Sequence, residues 1–480
     1  MKKIWIAVVA LPVIAYPATS WYLGTQVQAA FDQQYAQAEQ MPYLKVVERH
    51  YERGLFSATE SVTIELFGDM TRALAQARTE GGADTPATEP LRIRFESDIR
   101  HGPWADGLAA AVIDSRLVLP EAARAQAEQL FGDQPPLRAH TVVGFDGGGI
   151  SDVASPAFAA PLPAVDGGEP GQLAWEGITG RVEFSDGMSR YRMQASAPRF
   201  EVRDGKGVHM VMRGLALDGE QQRILPDEPL LYAGSQRFTL EEVQVTGPDT
   251  DGAPVQLKQI EYRVDMPANG DYLDMKAAMS AQVFQVGAQD FGPAHYDFSM
   301  NHLHVATFAR LYRALLDMYA DPALLAGEGD PQQAMAALAE PAMALLGHDP
   351  ELRLDRLSFS TPQGEARLQA QARMPGLASE EIGNPMVMLG KLDASGSLSV
   401  PEAVMRDLMV ARTRNELAQM DPGATLDENQ LAMVDAQLDL QLQQAAAEGY
   451  IRRDGGLIRA EFAFRDGRLT VNGQPFQPRR

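Results

Sequence analysis

The chain contains no cysteine in 480 residues, which excludes disulfides, thiolate metal sites, iron–sulfur clusters and cysteine nucleophiles together. Its fold is stabilised by burial without covalent cross-links. Lysine is scarce as well, with seven among the 42 basic residues, and the formal net charge is −22. So acidic a surface repels nucleic-acid phosphates and anionic headgroups, and only Arg479-Arg480 approaches a basic cluster; nucleic acid is not an expected partner. Catalytic signatures are missing too. There is no Gly-x-Ser-x-Gly elbow, no phosphate loop and no His-Glu-x-x-His, while adjacent acidic pairs such as Glu241-Glu242 and Glu380-Glu381 face apart on a strand. The sequence names no reaction, so the chain is read as non-enzymatic, with no catalytic, cofactor or metal residue assigned. At 45% hydrophobic and 22% charged residues, it is otherwise an ordinary globular composition able to build a sizeable core.

What is present begins at the N-terminus. Met1-Lys2-Lys3 precedes an uncharged run, Ile4 to Gly24, and no second such run follows. Ile4 to Leu23 is long enough to cross a hydrocarbon layer of roughly 30 Å as a helix, the lysines favour a cytoplasmic N-terminus, and Trp21 and Tyr22 stand where rings sit at headgroup depth. Pro12 and Pro17 weaken that helix. The rival reading is a cleaved leader, since Val27-Gln28-Ala29 before Ala30 meets the small-residue rule; the run exceeds the 7–15 residues of a typical leader core, which favours the anchor. Residues 1–29 are thus expected to be a membrane anchor or uncleaved signal, and 30–480 a body in the bacterial periplasm, tethered to the inner membrane by a single pass through residues 4–24.

Period-2 alternation dominates the body. Leu91, Ile93, Phe95, Ser97 and Ile99 alternate with Arg92, Arg94, Glu96, Asp98 and Arg100, which predicts a strand with one core face and one wet face. Weaker versions recur near residues 62–66, 191–195, 208–212, 260–266, 296–300, 368–374 and 462–464. Turn dipeptides punctuate them: Asp146-Gly147, Asp186-Gly187, Asp204-Gly205, Asp218-Gly219, Asp251-Gly252, Asp466-Gly467 and Asn472-Gly473. Segments 79–90 and 153–171 read as loops. Helical spacing appears at Phe308, Leu311, Tyr312, Leu315, Leu316 and Tyr319, with Thr307 as cap, and again over about 331–347, 401–420 (Val404, Leu408 and Ala411 on one side) and 428–448. The expected class is mainly β with α insertions (α+β): a long, curved antiparallel sheet of hairpins, an N-terminal transmembrane helix, and helices inserted at about 307–347 and 401–448. One-sided strands need cover from helices, a second sheet, a partner or lipid.

Two histidine motifs merit reading. His302 and His304 lie at strand spacing near His295 and Asp297, a pair short of a metal site because a third ligand at diagnostic spacing is missing. His101-Gly102-Pro103-Trp104 reads as a strand end in which Gly-Pro breaks the ladder and Trp104 packs.

The element Tyr51-Glu52-Arg53-Gly54-Leu55-Phe56-Ser57, with His101-Gly102-Pro103-Trp104 and the closing Leu469-Thr470-Val471-Asn472-Gly473-Gln474, resembles the YdgA-like family of bacterial envelope proteins of unknown function. The resemblance implies an N-terminal anchor, a periplasmic β-rich body and no established activity; it marks Tyr51, Arg53, Gly54, Phe56, His101, Gly102, Pro103, Asn472 and Gly473 as motif positions of structural role. Gly54 is read as the bend after Arg53, adopting a φ that other residues resist. A more distant similarity to AsmA-like proteins implies a sheet that carries or shelters lipid. The expected function is a non-enzymatic envelope protein binding a hydrophobic ligand or lipid along its sheet; the alternatives are a homo-oligomeric or partner-binding scaffold, and a hydrolase with an unrecognised site.

Overall fold

The computed structural model describes the chain except residues 1, 42, 73–74, 76–89, 106, 122–127, 163, 165–168, 248–253, 288, 322–323, 325–329, 421–425 and 477–480, and describes residues 2–15 by backbone only. It is mainly antiparallel sheet with helices. The longer helices are α1 (Lys2–Ala38), α2 (Val305–Ala320), α3 (Pro331–Leu346), α4 (Pro385–Lys391), α5 (Glu402–Met420) and α6 (Glu428–Ala447). Chain contacts divide it into two units, one of Met1–Thr239 with Phe308–Pro341, the other of Leu240–Thr307 with Ala342–Arg480.

The first unit holds β1 (Leu44–Arg53), β2 (Ser57–Leu66), β3 (Leu91–His101), β4 (Ala111–Val118), β5 (Arg138–Val143), β6 (Gly149–Ser155), β7 (Phe158–Leu162), β8 (Gly171–Trp175), β9 (Ile178–Phe184), β10 (Arg190–Arg203) and β11 (His209–Arg223), while β12 (Tyr232–Thr246) carries the chain across the boundary. Each of β1 to β5 pairs antiparallel with its successor, then β6 pairs with β9, β9 with β10 and β10 with β11. The predicted loop 153–171 is instead strand for most of its described length. β6 and β7 form one strand kinked at Pro156, returning as β8 and β9 around Gly177, whose φ of 91° and close approach to the Ser155 carbonyl admit no side chain. Backbone geometry at two positions converts an apparent linker into a hairpin.

In the second unit the strands are β13 (Val255–Met266), β14 (Ala268–Asn269), β15 (Tyr272–Val286), β16 (Gln289–Asp290), β17 (Ala294–His304), β18 (Glu351–Thr361), β19 (Gly364–Arg373), β20 (Asp393–Pro401), β21 (Arg452–Asp454), β22 (Leu457–Arg465), β23 (Arg468–Val471) and β24 (Gln474–Pro475). The ladder runs β13-β15-β17-β18-β19-β20-β22-β23. Helices interrupt it without disturbing neighbour order, since β17 and β18 pair across α2–α3, and β20 and β22 pair across α5–α6. The latter two pack on the sheet through Val404, which meets Ala366 and Val400, and through Leu438 and Leu442, which meet Ile458.

Several local expectations change. Asp218-Gly219 lies inside β11, not in a turn; a Cβ on Gly219 would stand 3.0 Å from the Ser235 carbonyl, so the glycine serves close strand approach. Asp251-Gly252 falls outside the described residues. Helix α2 starts at Val305, so Thr307 is buried in its first turn, where its hydroxyl meets His304 Nδ1 at 2.8 Å. Leu408 is exposed, and Met405 and Met409 make the apolar contacts of α5 instead. Gly54 does not adopt a positive φ; its N–H donates to the Ser57 carbonyl at 2.7 Å to close the β1–β2 turn. By contrast Asp466-Gly467 and Asn472-Gly473 take positive φ at both residues, as tight hairpin turns demand. Among the described residues, no helix is long and apolar enough to cross a membrane.

Candidate functional site

The uncovered-face question is answered in the first unit by α1. Ser20, Gly24, Val27, Phe31 and Tyr35 recur every three or four residues, so they share one helical face, and that face lies on the sheet. Val27 packs into a cluster of Ala58, Ile99, Ala111 and Ile113, with Phe31, Tyr51 and Val143 against it. One turn earlier Gly24 rests on the imidazole of His101, where a Cβ would come within 2.5 Å of Cε1. Only glycine fits there. His101 donates from Nδ1 to the Ser20 carbonyl at 2.8 Å, and its ring is 2% exposed. Gly102, at φ 143°, leaves room for Ser20 itself, whose side chain is fully buried.

A polar clasp closes the other end of this face. Arg49 donates from Nε to Glu60 at 2.7 Å and from Nη1 to Asp32 at 2.6 Å, and Tyr35 donates its hydroxyl to the other Glu60 oxygen at 3.2 Å. Burial holds the Glu60 carboxyl above its ordinary range even though Arg49 draws it back. Burial, reinforced by Glu60, pushes the Tyr35 hydroxyl up and raises Tyr51 to about 12. Neither phenol ionises near neutrality, so both stay neutral where α1 meets the sheet.

Beyond the Val27 contact the sheet continues while the helix rises from it. The row Ala58, Ile99, Ile113, Thr141, Ser151, Val182 crosses six paired strands. Over its second half is a cavity of about 420 Å³, roofed by Val27, Ala30, Phe31 and Gln34, floored by Ile113, Thr141, Ser151, Val182 and Phe184, and ended by Asp186–Met188. Its volume falls within the roughly 300–1,000 Å³ of small-molecule sites. The floor hydroxyls are spent on each other: Thr141 donates to Ser151 at 2.8 Å, and Ser115 bonds Ser97 at 2.8 Å. The wall offered to a guest is therefore mainly hydrocarbon, with glutamine amides of α1 at one margin.

The second unit leaves a comparable face less covered. Tyr262, Met279, Tyr296, Leu357, Leu368 and Leu398 are direct cross-strand partners in succession, and all but Leu368 rank among the exposed large apolar side chains. Two residues along, Phe298, Leu354, Ala370, Gly396 and Phe462 continue the same face. It is an apolar stripe across six strands.

The motif positions separate into two groups. Tyr51, Arg53, Phe56, His101 and Gly102 all meet α1: Tyr51 is 6.3 Å from Phe31, the Arg53 guanidinium lies 5.5 Å over Trp21, and Phe56 stacks on Tyr16 at 5.5 Å. Pro103 turns the chain after β3, and Trp104 also stacks on Tyr16 at 5.4 Å while staying largely exposed. Asn472 and Gly473 stand apart in the second unit, where Asn472 donates to the Gly449 carbonyl at 3.0 Å and accepts from the Glu461 N–H. His302 and His304 take separate ring partners. His302 stacks on Tyr272 and His304 on His348, each at 4.0 Å, and among the described residues no group of three His, Asp or Glu side chains is placed to hold a metal ion. The sequence reading missed the helical stripe from Ser20 to Tyr35, whose 3–4 spacing was there to find, and the Arg49–Glu60 clasp, whose partners are remote along the chain.

Residues 1–479, and so α1 as well as the strands of both units, match the family model described as bacterial protein of unknown function (DUF945). The chain belongs to the DUF945 family. Neither a curated protein nor a solved structure matches it. The DUF945 match covers the three elements at residues 51–57, 101–104 and 469–474 on which the YdgA-like resemblance was drawn, and it assigns no activity. It does place the covering helix and the cavity floor within one family unit.

Proposed function

We propose that this DUF945 protein is a YdgA-like, non-enzymatic envelope protein, held in the inner membrane by its N-terminal run with its body in the periplasm, and that it binds a lipid or similar hydrophobic ligand against its sheet. The cavity beneath α1 carries this reading. Its volume suits an acyl chain or small apolar molecule, its hydroxyls are already paired, and no cluster of acid, base and nucleophile faces it. The apolar stripe of the second unit supports the same chemistry, since a contiguous exposed apolar surface marks an interaction site. Retention of the N-terminal segment is favoured by α1 itself, which runs unbroken through Ala29-Ala30 and buries Val27 beside that point.

Full-length protein extracted from membranes in mild detergent is expected to retain a lipid-sized ligand in native mass spectrometry, and once stripped to bind N-phenyl-1-naphthylamine. Ala30→Trp places an indole in the cavity roof from a helix position that tolerates it. It should weaken probe binding by about tenfold, a cost of about 1.4 kcal/mol, with the melting temperature unchanged. Ligand-free protein that ignores the probe would refute the reading. Stoichiometric self-association through the stripe, in the absence of ligand, would favour the scaffold alternative.

A further inference from the structure

The two hairpin connections beside Tyr16 carry four exposed large apolar side chains, Leu55, Phe56, Trp104 and Leu108, where solvent-facing turns are ordinarily polar. Tyr16 stacks with both Phe56 and Trp104, its ring plane 21° and 22° from theirs, so three separate segments, α1, the β1–β2 turn and the β3–β4 connection, bring aromatic rings together. The same two tips carry Leu55 and Leu108, exposed to 47% and 79%, and Trp104 is 61% exposed. Packing within the unit does not account for them. The helix running N-terminally from Tyr16 is the apolar run of the chain.

Helix length makes the placement quantitative. The residues before Tyr16, Ile4 to Ala15, would span only about 18 Å at 1.5 Å per residue, well short of a hydrocarbon layer of roughly 30 Å. Extending the buried segment to Trp21 gives about 27 Å, which matches. Trp21 and Tyr22 are each more than half exposed, and Arg53 holds its guanidinium over the Trp21 ring, the pairing of aromatic and cation suited to headgroup depth. The Tyr16 stack then lies five residues, roughly 7 Å, deeper along the helix axis.

We propose that the side chains of Leu55, Phe56, Trp104 and Leu108 insert into the bilayer leaflet beside α1, with Trp21 and Arg53 at its headgroups, so that the body is seated in the membrane and not merely tethered to it. This rests on the anchor reading above.

The test uses the full chain in phosphatidylcholine/phosphatidylglycerol vesicles. Of its tryptophans at 5, 21, 104 and 175, variants keep Trp21, Trp104 or Trp175 alone, the others being replaced by phenylalanine, with folding checked by circular dichroism. In vesicles whose acyl chains are brominated near the headgroup end, Trp104 should lose most of its emission, Trp21 less and Trp175 none. Trp104 unquenched in protein that floats with the vesicles overturns the seating and leaves the anchor intact. Protein that fails to float overturns both.

Discussion

A chain beginning at residue 30 is expected to lose the fold of its first unit while the second unit keeps its own. The deletion removes Ser20, Gly24 and Val27, and so uncovers His101 and the Ala58, Ile99, Ala111 and Ile113 cluster. Burying one valine is worth about 1.5–3 kcal/mol, and uncovering a cluster of this kind costs several times that. The loss is comparable with the roughly 5–15 kcal/mol that stabilises a whole domain. Hydrogen exchange should show β2 to β4 unprotected and β18 to β22 native-like. Protection of β2 to β4 at the full-length level would show that α1 adds nothing to the fold, and would make cleavage before Ala30 harmless.

Gly24→Ala separates fit from propensity. Alanine inside an exposed helix is favoured over glycine by about 1 kcal/mol, so a helix merely lying near the sheet would be stabilised. Here the new Cβ would meet a buried imidazole at 2.5 Å, and that ring is pinned by its bond to the Ser20 carbonyl. Overpacking costs about 1–3 kcal/mol, so the variant should melt lower despite the better helix former. His101→Ala makes room for the methyl. The double variant should therefore be more stable than the two single effects predict, by about 1 kcal/mol or more, as expected of residues in contact. Additive effects in the thermal melts would mean the two positions do not touch.

Much of the architecture could be read from the chain because it is locally encoded. The alternation from Leu91 to Arg100 became β3, with Ile99 buried and Arg92, Arg94, Asp98 and Arg100 exposed, and Asn472-Gly473 formed its tight turn. Helices α3 and α6 likewise follow their spacing to within a residue or two at each end. What could not be read depends on neighbours far away in sequence. Asp218-Gly219 has the composition of a turn, yet the approach of Ser235 keeps it in a strand. Segment 153–171 lacks alternation because Pro156 breaks the period between β6 and β7, and the strands it pairs with, β8 and β9, lie mostly beyond residue 171. The site itself was half legible. Tyr51, Arg53, Phe56 and His101 were marked as motif positions, but their shared purpose needed α1, and α1 was cut short because membrane and cleavage signals both draw attention to residues 4–30. Past Gly24 the stripe of Val27, Phe31 and Tyr35 is sparse, and only its spacing betrays a buried face.

A cross-link between α1 and the end of β3 tests the docking of that helix most directly, against a background free of native cysteine. A Cβ built on Gly102 stands 3.4 Å from Ser20 Cβ, close to the roughly 3.5–4.5 Å a disulfide requires. In Ser20→Cys/Gly102→Cys protein purified from the membrane fraction, the pair should oxidise to near completion, and the intact mass should include residues before Ala30. A cysteine at the Gly102 φ of 143° is strained, so the variant's fold is checked by circular dichroism; free thiols at both positions in protein that is folded, or a chain that starts at residue 30, would contradict a retained helix lying on the sheet.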